Sequence, residues 1–231
     1  QITRYSGEQG EERQWFQQDI RSNGTVRSTV LFYYGIGHLL ANNSSLNSDD
    51  ALRQTVQYRS GIKGDLAGRI NPAFMSKQTV TDFMFDQGEE RQYRSQGFSR
   101  ANAITAKTTT FFSYNGYREM TDSYTYRGDW RAFNDARKKD DNQHLQSRTH
   151  FTGNENEELS RYTISYGRRG ETNVKSTTFF KYGAEDQLQA TTVYRGLVAD
   201  TDVARQAAVL KIRQITRYSG EQGEERQWFQ Q

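Results

Sequence analysis

The chain contains no cysteine, a single proline and no long apolar segment. Only 33% of its 231 residues are hydrophobic, and its mean hydropathy is -0.99. Without cysteine, the fold rests on no disulfide and no thiolate metal site. No apolar run approaches the roughly 18 residues of a membrane-spanning helix, and no apolar signal segment opens the sequence. The composition therefore predicts a polar chain without helical membrane spans.

The sequence also lacks the usual signatures of catalysis. It has no serine in a nucleophile elbow, no thiol and no glycine-rich loop that would hold a phosphate. Glutamate pairs recur at Glu11-Glu12, Glu89-Glu90 and Glu157-Glu158, and again at Glu224-Glu225 in the copy of the first segment. Neighbouring residues of a strand point to opposite faces, unlike the facing carboxylates of a glycosidase. We therefore predict no enzyme activity and no cofactor; the pairs indicate solvated turns with local ion pairing to nearby arginines, and calcium at these turns is an alternative because Ca²⁺ prefers carboxylate oxygens.

Charge of one sign is also scarce. The chain has 31 basic and 28 acidic residues, a net charge of +3, and the two signs are mixed along it. A nucleic-acid-binding protein usually gathers its basic residues on one face. The one compact basic cluster, Arg137-Lys138-Lys139, is followed directly by Asp140-Asp141. We therefore predict no nucleic-acid partner.

What the sequence does contain is repetition. The segment Gln1–Gln18 recurs letter for letter as Gln214–Gln231, 213 positions later. This identity indicates a tandem array with that period, an engineered duplication, or a circular permutant with overlapping ends, and repeats take precedence in predicting a fold. The repeated segment is a candidate assembly hairpin, with a tyrosine and two glycines in each copy: Tyr5, Gly7, Gly10, Tyr218, Gly220 and Gly223.

A shorter unit, of about 70 residues, recurs three times within the long period. Its markers are the acidic turn, a Thr/aromatic run closing on tyrosine, and an evenly spaced Tyr-Arg pair at Tyr58-Arg59, Tyr126-Arg127 and Tyr194-Arg195. The predicted units are residues 1–75, with a loop insertion near 41–50, then 76–143 and 144–213. Residues 214–231 would begin the next period.

Strands dominate each unit. Val174–Tyr182 alternates side chains with period two and is rich in β-branched and aromatic residues, the pattern of a strand. Segments rich in Gly, Asn and Asp separate such runs. We predict an all-β, antiparallel fold of about twelve short strands in three four-stranded repeats. Short helices are also predicted within Asp200–Ile212 and Asp129–Lys139, each beginning at an aspartate cap.

The strand ends resemble those of YD-repeat proteins of the Rhs and teneurin type, and of other large secreted β-repeat proteins. The likeness lies in Thr125-Tyr126-Arg127-Gly128 and in Thr192–Gly196, where a strand closes on tyrosine before glycine. Here tyrosine is followed by arginine and not by the aspartate that gives the motif its name. The resemblance implies a secreted β-repeat protein and transfers no functional residue.

Three functions are consistent with these observations. The first is a non-enzymatic structural or adhesive repeat protein, extracellular or on the cell surface, which binds copies of itself and forms fibres through its repeated hairpins. The second is an outer-membrane β-barrel of about twelve strands, acting as a pore or transporter, with tyrosines as aromatic girdles. The third is a soluble carbohydrate-binding β-protein that stacks cell-surface glycans on Trp15, Trp130 or Trp228.

Overall fold

A computed structural model describes residues 1–61, 76–101, 104–130, 144–168 and 170–231, leaving aside the side chains of residues 170–172. It contains fifteen antiparallel strands in one sheet, and the prediction of an all-β fold is confirmed. The first seven strands are β1 Ile2–Ser6, β2 Arg13–Ile20, β3 Val26–Tyr34, β4 Leu39–Leu40, β5 Leu52–Arg59, β6 Ser76–Met84 and β7 Arg91–Gly97. The others are β8 Thr108–Tyr114, β9 Met120–Arg127, β10 Leu145–Thr152, β11 Leu159–Gly167, β12 Gly170–Tyr182, β13 Leu188–Arg195, β14 Ile212–Ser219 and β15 Arg226–Gln230.

The sheet order follows the order of the strands along the chain, except that β4 pairs only with β3. Fifteen strands exceed the twelve or so predicted. The additional three are the two-residue β4, which precedes the turns of residues 41–50, and the two strands of the terminal repeat, β14 and β15. Every long strand therefore neighbours the strands adjacent to it in sequence, as successive hairpins require.

One short helix interrupts the strands of the described residues. It is α1, Asp202–Ala207, followed by a 3-10 turn at Val209–Lys211, and both lie inside the predicted Asp200–Ile212. The cap is Thr201, whose Oγ1 accepts a hydrogen bond from the amide of Ala204 at 3.1 Å. Most of the other predicted helix, Asp129–Lys139, lies outside the described residues. No helix in the described ranges has the length and apolar character needed to cross a membrane.

The chain divides into two compact units, residues 1–109 and 110–231. In the first unit, directly opposed residues on four strands form an apolar row: Phe16 faces Leu31, Leu31 faces Val56, and Val56 faces Val80. All four are buried and belong to one core cluster. Cross-strand apolar pairs of this kind are the main packing unit of a sheet, so this row fixes the register of β2, β3, β5 and β6.

The second unit has its own core. Phe179 packs against Tyr162 and Tyr194, with ring centroids 6.0 and 5.8 Å away. Ala208, directly after α1, and Val198 are buried against the same cluster. The predicted alternation therefore places one aromatic face of β11–β13 under the helix, which removes it from water.

Four hairpins carry a register shift at the same point of their first strand. The shift follows Arg4 in β1, Asp82 in β6, His150 in β10 and Arg217 in β14. A bulge adds one residue to one strand of a pair and increases the local twist. Each of these first strands ends shortly after the shift and leads into an acidic turn, so the bulge and the turn recur as a pair.

Candidate functional site

The repeated terminal hairpins have turns that depend on glycine. In the first hairpin Gly7 and Gly10 have φ values of 128° and 89°, and in the second Gly220 and Gly223 have 129° and 84°. A Cβ added to Gly7 would lie 2.7 Å from the carbonyl oxygen of Glu11, and one added to Gly220 would lie 2.8 Å from that of Glu224. At Gly7 and Gly220 only glycine satisfies both the backbone angle and the space, whereas Gly10 and Gly223 are favoured by their positive φ alone.

The corresponding glycine of the β10–β11 turn offers a test of this requirement. Gly153 has a φ of 127°, and an added Cβ would lie 2.6 Å from the carbonyl oxygen of Glu157. We expect Gly153→Ala to lower the free energy of unfolding by about 1–3 kcal/mol, because alanine would be strained by the positive φ and by the close carbonyl oxygen in the folded state only. Gly116→Ala is the control, because nothing lies within 4 Å of its added Cβ. Urea denaturation of both variants measures the difference, and equal stabilities would contradict the argument.

In three of the four acidic turns the second glutamate binds the backbone amide that opens the strand two before its own. The Oε1 atoms of Glu90, Glu158 and Glu225 accept hydrogen bonds from the amides of Leu52, Met120 and Leu188, at 3.0, 2.8 and 2.9 Å. These amides open strands β5, β9 and β13. We call this contact the glutamate bridge. A charged acceptor makes a stronger hydrogen bond than a neutral one, so each bridge ties a hairpin turn to the strand before it.

The other oxygen of the same carboxylate serves its own turn. The Oε2 atoms of Glu90 and Glu225 accept from the amides of Gly88 and Gly223, each at 2.9 Å. The sequence predicted solvated acids paired with nearby arginines, and the structure gives these carboxylates backbone amides as partners. The carboxylates of Glu90 and Glu225 therefore each bind two amides, one in their own turn and one at the start of the strand before the hairpin.

Glu12, the counterpart of Glu225 in the first hairpin, has only half of this arrangement. Its Oε2 accepts from the amide of Gly10 at 2.9 Å. Within the part of the chain that the structure describes, Oε1 receives no hydrogen bond and the side chain is exposed. The identical sequence therefore makes a complete bridge at one end of the chain and an open one at the other.

The bridge in the second hairpin affects the ionisation of its carboxyl group. The hydrogen bond from the Leu188 amide, with those from its own turn, lowers the pKa of Glu225. A lowered folded-state pKa means that the bond is present above the ordinary carboxyl pKa and is lost as the pH falls through the lowered value.

We therefore expect the Leu188 amide proton to titrate in an NMR pH series. Its shift should move as Glu225 is protonated, with a midpoint below the value of about 4.3 for a free glutamate side chain. The Glu225→Gln variant is the control and should show a flat profile at Leu188. A Leu188 signal that does not respond to acid in the unmodified chain would mean that the bridge is not formed in solution.

The arginine of the Tyr-Arg marker makes a second kind of contact between strands, in addition to the glutamate bridge. Arg59 at the end of β5 donates to the carbonyl oxygens of Lys77 in β6 and, at 2.6 Å, of Phe98 after β7. Arg127 at the end of β9 donates to those of Leu145 and Tyr166, at 3.2 and 3.4 Å. We call this contact the arginine bridge. The Tyr-Arg marker of the sequence therefore has a structural role at the opposite end of the strand from the glutamate bridge.

Arg195, which ends β13, is the third arginine of this marker. It is exposed, and the described residues provide its side chain with no hydrogen bond. In the two complete bridges the distant carbonyl lies 39 residues after the arginine.

The three candidate sugar-stacking tryptophans differ in exposure. Trp15 in β2 is half-buried and packs against the core of the first unit. Trp130 is also half-buried; its Nε1 donates to the carbonyl oxygen of Arg127 at 2.8 Å, and its ring lies 5.3 Å from that of His144. Trp228 in β15 is 63% exposed. Of the three, Trp228 offers the most open ring to a ligand.

A cavity of about 710 Å³ lies beside α1 in the second unit, and Arg161, Phe179 and Tyr194 line it. Arg161 is paired with Asp200, and Arg205 is paired with both Asp200 and Asp202. Both arginines are therefore neutralised within the cavity wall. Across the described residues no group of three or more His, Asp or Glu side chains is placed to hold a metal ion, and calcium at the acidic turns stays a prediction.

No family model matches the chain. No curated protein matches it significantly either. The resemblance to YD-repeat proteins therefore stays a prediction from the strand-end pattern, and the function has to be argued from the hairpins and their bridges.

Proposed function

We propose that this chain is a non-enzymatic structural or adhesive β-repeat protein of the cell surface or extracellular space. Its building block is a four-stranded repeat of about 70 residues, present three times and followed by the first hairpin of the next period. The observation that carries the proposal is the glutamate bridge, which recurs at Leu52, Met120 and Leu188 in equal steps along the chain.

The bridges support a structural role because they connect neighbours along a sheet and enclose no reaction centre. The glutamate bridge holds the β6–β7 and β10–β11 hairpins at one end of the preceding strand, and the arginine bridge holds them at the other. Repeats that contact only their neighbours gain stability from each added interface. A chain of such repeats would bear load along the sheet and cover strand edges that single repeats leave open.

Unfolding of a longer chain tests this proposal. A protein with two 213-residue periods in direct succession should melt at a higher temperature than the present chain, because one more interface is formed. The matched control joins the same two periods through a flexible Gly/Ser linker inserted between them, which breaks the spacing of the bridges. The proposal expects a higher melting temperature for the direct fusion than for the linked one. Equal melting temperatures for all three proteins would contradict it.

Carbohydrate binding is a second candidate, supported by the exposed ring of Trp228 beside Phe229, with centroids 5.9 Å apart. Exposed aromatic rings provide flat surfaces on which a ligand can stack. A glycan array probed with the full chain and with Trp228→Ala separates the two candidates. Glycan hits that disappear in the variant would favour a lectin, and an array without hits would favour the structural role.

A further inference from the structure

The two copies of the terminal hairpin occupy different positions in the sheet. In the described part of the chain, β1 pairs only with β2, and β15 pairs only with β14. The hairpin β10–β11, by contrast, has β9 on one side and β12 on the other. The first copy is therefore open on its β1 side, and the second copy is open on its β15 side.

The strand that binds the second hairpin also matches the first. Strand β13 pairs with β14 in a register that sets Ala190 opposite Arg217 and Thr192 opposite Ile215. In β1 the same positions of the repeated sequence are Arg4 and Ile2. Because the sequences are identical, β1 carries the same side chains and backbone groups at these positions as β14 does where it binds β13.

The same pairing would also give partners to two side chains that lack a bridge in the described single chain, Glu12 and Arg195. Glu12 corresponds to Glu225, so a β1–β2 hairpin placed on β13 would set its open Oε1 at the amide of Leu188. In the two complete arginine bridges the distant carbonyl belongs to Phe98, which follows Glu90, and to Tyr166, which follows Glu158 at the same spacing. Ile20, the last residue of β2, follows Glu12 at that spacing too. Arg195, whose side chain has no acceptor in the described part of its own chain, would then reach the carbonyl oxygen of Ile20.

We propose that the partner of this protein is a second copy of the same chain, joined by hairpin exchange. The β1–β2 hairpin of the second copy replaces β14–β15 on β13, with Arg4 opposite Ala190, and completes the bridges from Glu12 to Leu188 and from Arg195 to Ile20. This inference rests on the proposed structural function and specifies how copies join. Exchange of identical elements is a low-cost route to association.

The hairpin that leaves is the less buried of the two. All five residues of β15 are exposed, whereas Phe16 in β2 is packed against Leu31. An incoming β1–β2 hairpin keeps its own β3 and its own core. The exchange therefore replaces the β13 contacts of Ile215–Arg217 by the same contacts of Ile2–Arg4, gives up the pairing of Ile212 with Tyr194, and adds the arginine bridge.

Cysteine cross-linking of the full chain tests the register, since the chain has no cysteine of its own. One protein carries Ala190→Cys and the other carries Arg4→Cys, and they are mixed under mild oxidation. Directly opposed strand positions suit a disulfide, so we expect a covalent heterodimer. The control partner carries Tyr5→Cys, which points to the opposite face, and its yield should be lower by about tenfold, because a disulfide needs Cβ atoms that point towards each other.

Identical substitutions in the two hairpins should act in opposite directions. Gly220→Ala strains the hairpin that must leave and should raise the yield, whereas Gly7→Ala strains the hairpin that must enter and should lower it. Glu12→Ala should also lower the yield and Glu11→Ala should not. Both glutamates are exposed in the single chain, so circular dichroism should show unchanged folding in these variants.

The outcomes separate this inference from the proposed function. Equal yields for Arg4→Cys and Tyr5→Cys, or the same response to Gly7→Ala and Gly220→Ala, would overturn hairpin exchange. Copies that associate in sedimentation without cross-linking between positions 4 and 190 would also overturn it. The proposed function is judged independently by the melting temperatures of the one-period and two-period proteins.

Discussion

Phe16→Ala is expected to lower the free energy of unfolding of the first unit by about 3–5 kcal/mol, the usual cost of removing a buried phenylalanine ring. Phe16 is 1% exposed and faces Leu31 across the sheet. The truncation removes the apolar contact and leaves a cavity in the row that continues through Val56 and Val80. Because the chain has two compact units, the first unit should unfold at lower urea concentration while the second keeps its own transition.

The chain carries its own control for this variant. Phe229 occupies the same place in the second copy of the repeated segment as Phe16 does in the first, but it is 38% exposed in β15. Phe229→Ala should change the free energy of unfolding by about 1 kcal/mol or less, as expected for a largely solvated side chain. Equal destabilisation by the two substitutions would show that the two copies have similar surroundings and would contradict the described packing.

Arg127→Met is expected to have the second largest effect, a loss of about 2–3 kcal/mol from the second unit, because a hydrogen-bonded charged group leaves its buried partners unsatisfied when it is removed. The guanidinium donates to the carbonyl oxygens of Leu145 and Tyr166, in two different strands. Methionine keeps much of the side-chain length and removes the donors, so both carbonyls lose a charged partner. The effect should appear as a lower urea midpoint for the unit that contains β9–β11.

Arg195→Met provides the matched comparison, since Arg195 follows tyrosine at the end of β13 just as Arg127 does at the end of β9. It is exposed, and no hydrogen bond holds its side chain in the described structure. Its replacement should leave the stability of the single chain within about 0.5 kcal/mol of the original. If Arg195→Met were as damaging as Arg127→Met, packing of the arginine stem, and not the bridge, would explain both losses.

The fold class was predictable because side-chain alternation is a local property. Segments such as Val174–Tyr182 show period two with β-branched and aromatic residues, and a strand forms there. The glycines of the turns were predictable for the same reason, since the need for positive φ is met within a few residues. Helix α1 was predictable in position but is shorter than the predicted segment, because the chain enters β14 at Ile212.

Burial was not predictable from local sequence. Phe16 and Phe229 belong to identical segments and differ because β2 has β3 as a neighbour and β15 has no strand beyond it in the described sheet. The exposure of Trp15 and Trp228 differs for the same reason. What decides burial is the next strand, which a short sequence window does not contain.

The glutamate and arginine bridges were only partly predictable from the sequence. The acidic turns and Tyr-Arg pairs were visible in the sequence, but the amides bound by the glutamates and the more distant carbonyls bound by the arginines lie 37 to 39 residues away in the chain. One signal was available: a glutamate follows the first residue of an earlier strand by 38, 38 and 37 positions. A contact that returns at a nearly constant spacing in repeated units is detectable once the repeat is aligned.

Amide hydrogen exchange at Leu52, Met120 and Leu188 tests the central claim most directly, namely that Glu90, Glu158 and Glu225 bind the opening amides of strands β5, β9 and β13. Each of the three amides donates to its glutamate in the described structure, although all three lie at strand ends. We expect all three amides to exchange more slowly than those of an unstructured peptide, and Glu158→Ala, which removes the acceptor, to abolish the protection only at Met120. Exchange at unstructured-peptide rates at the three positions in the unmodified chain would contradict it.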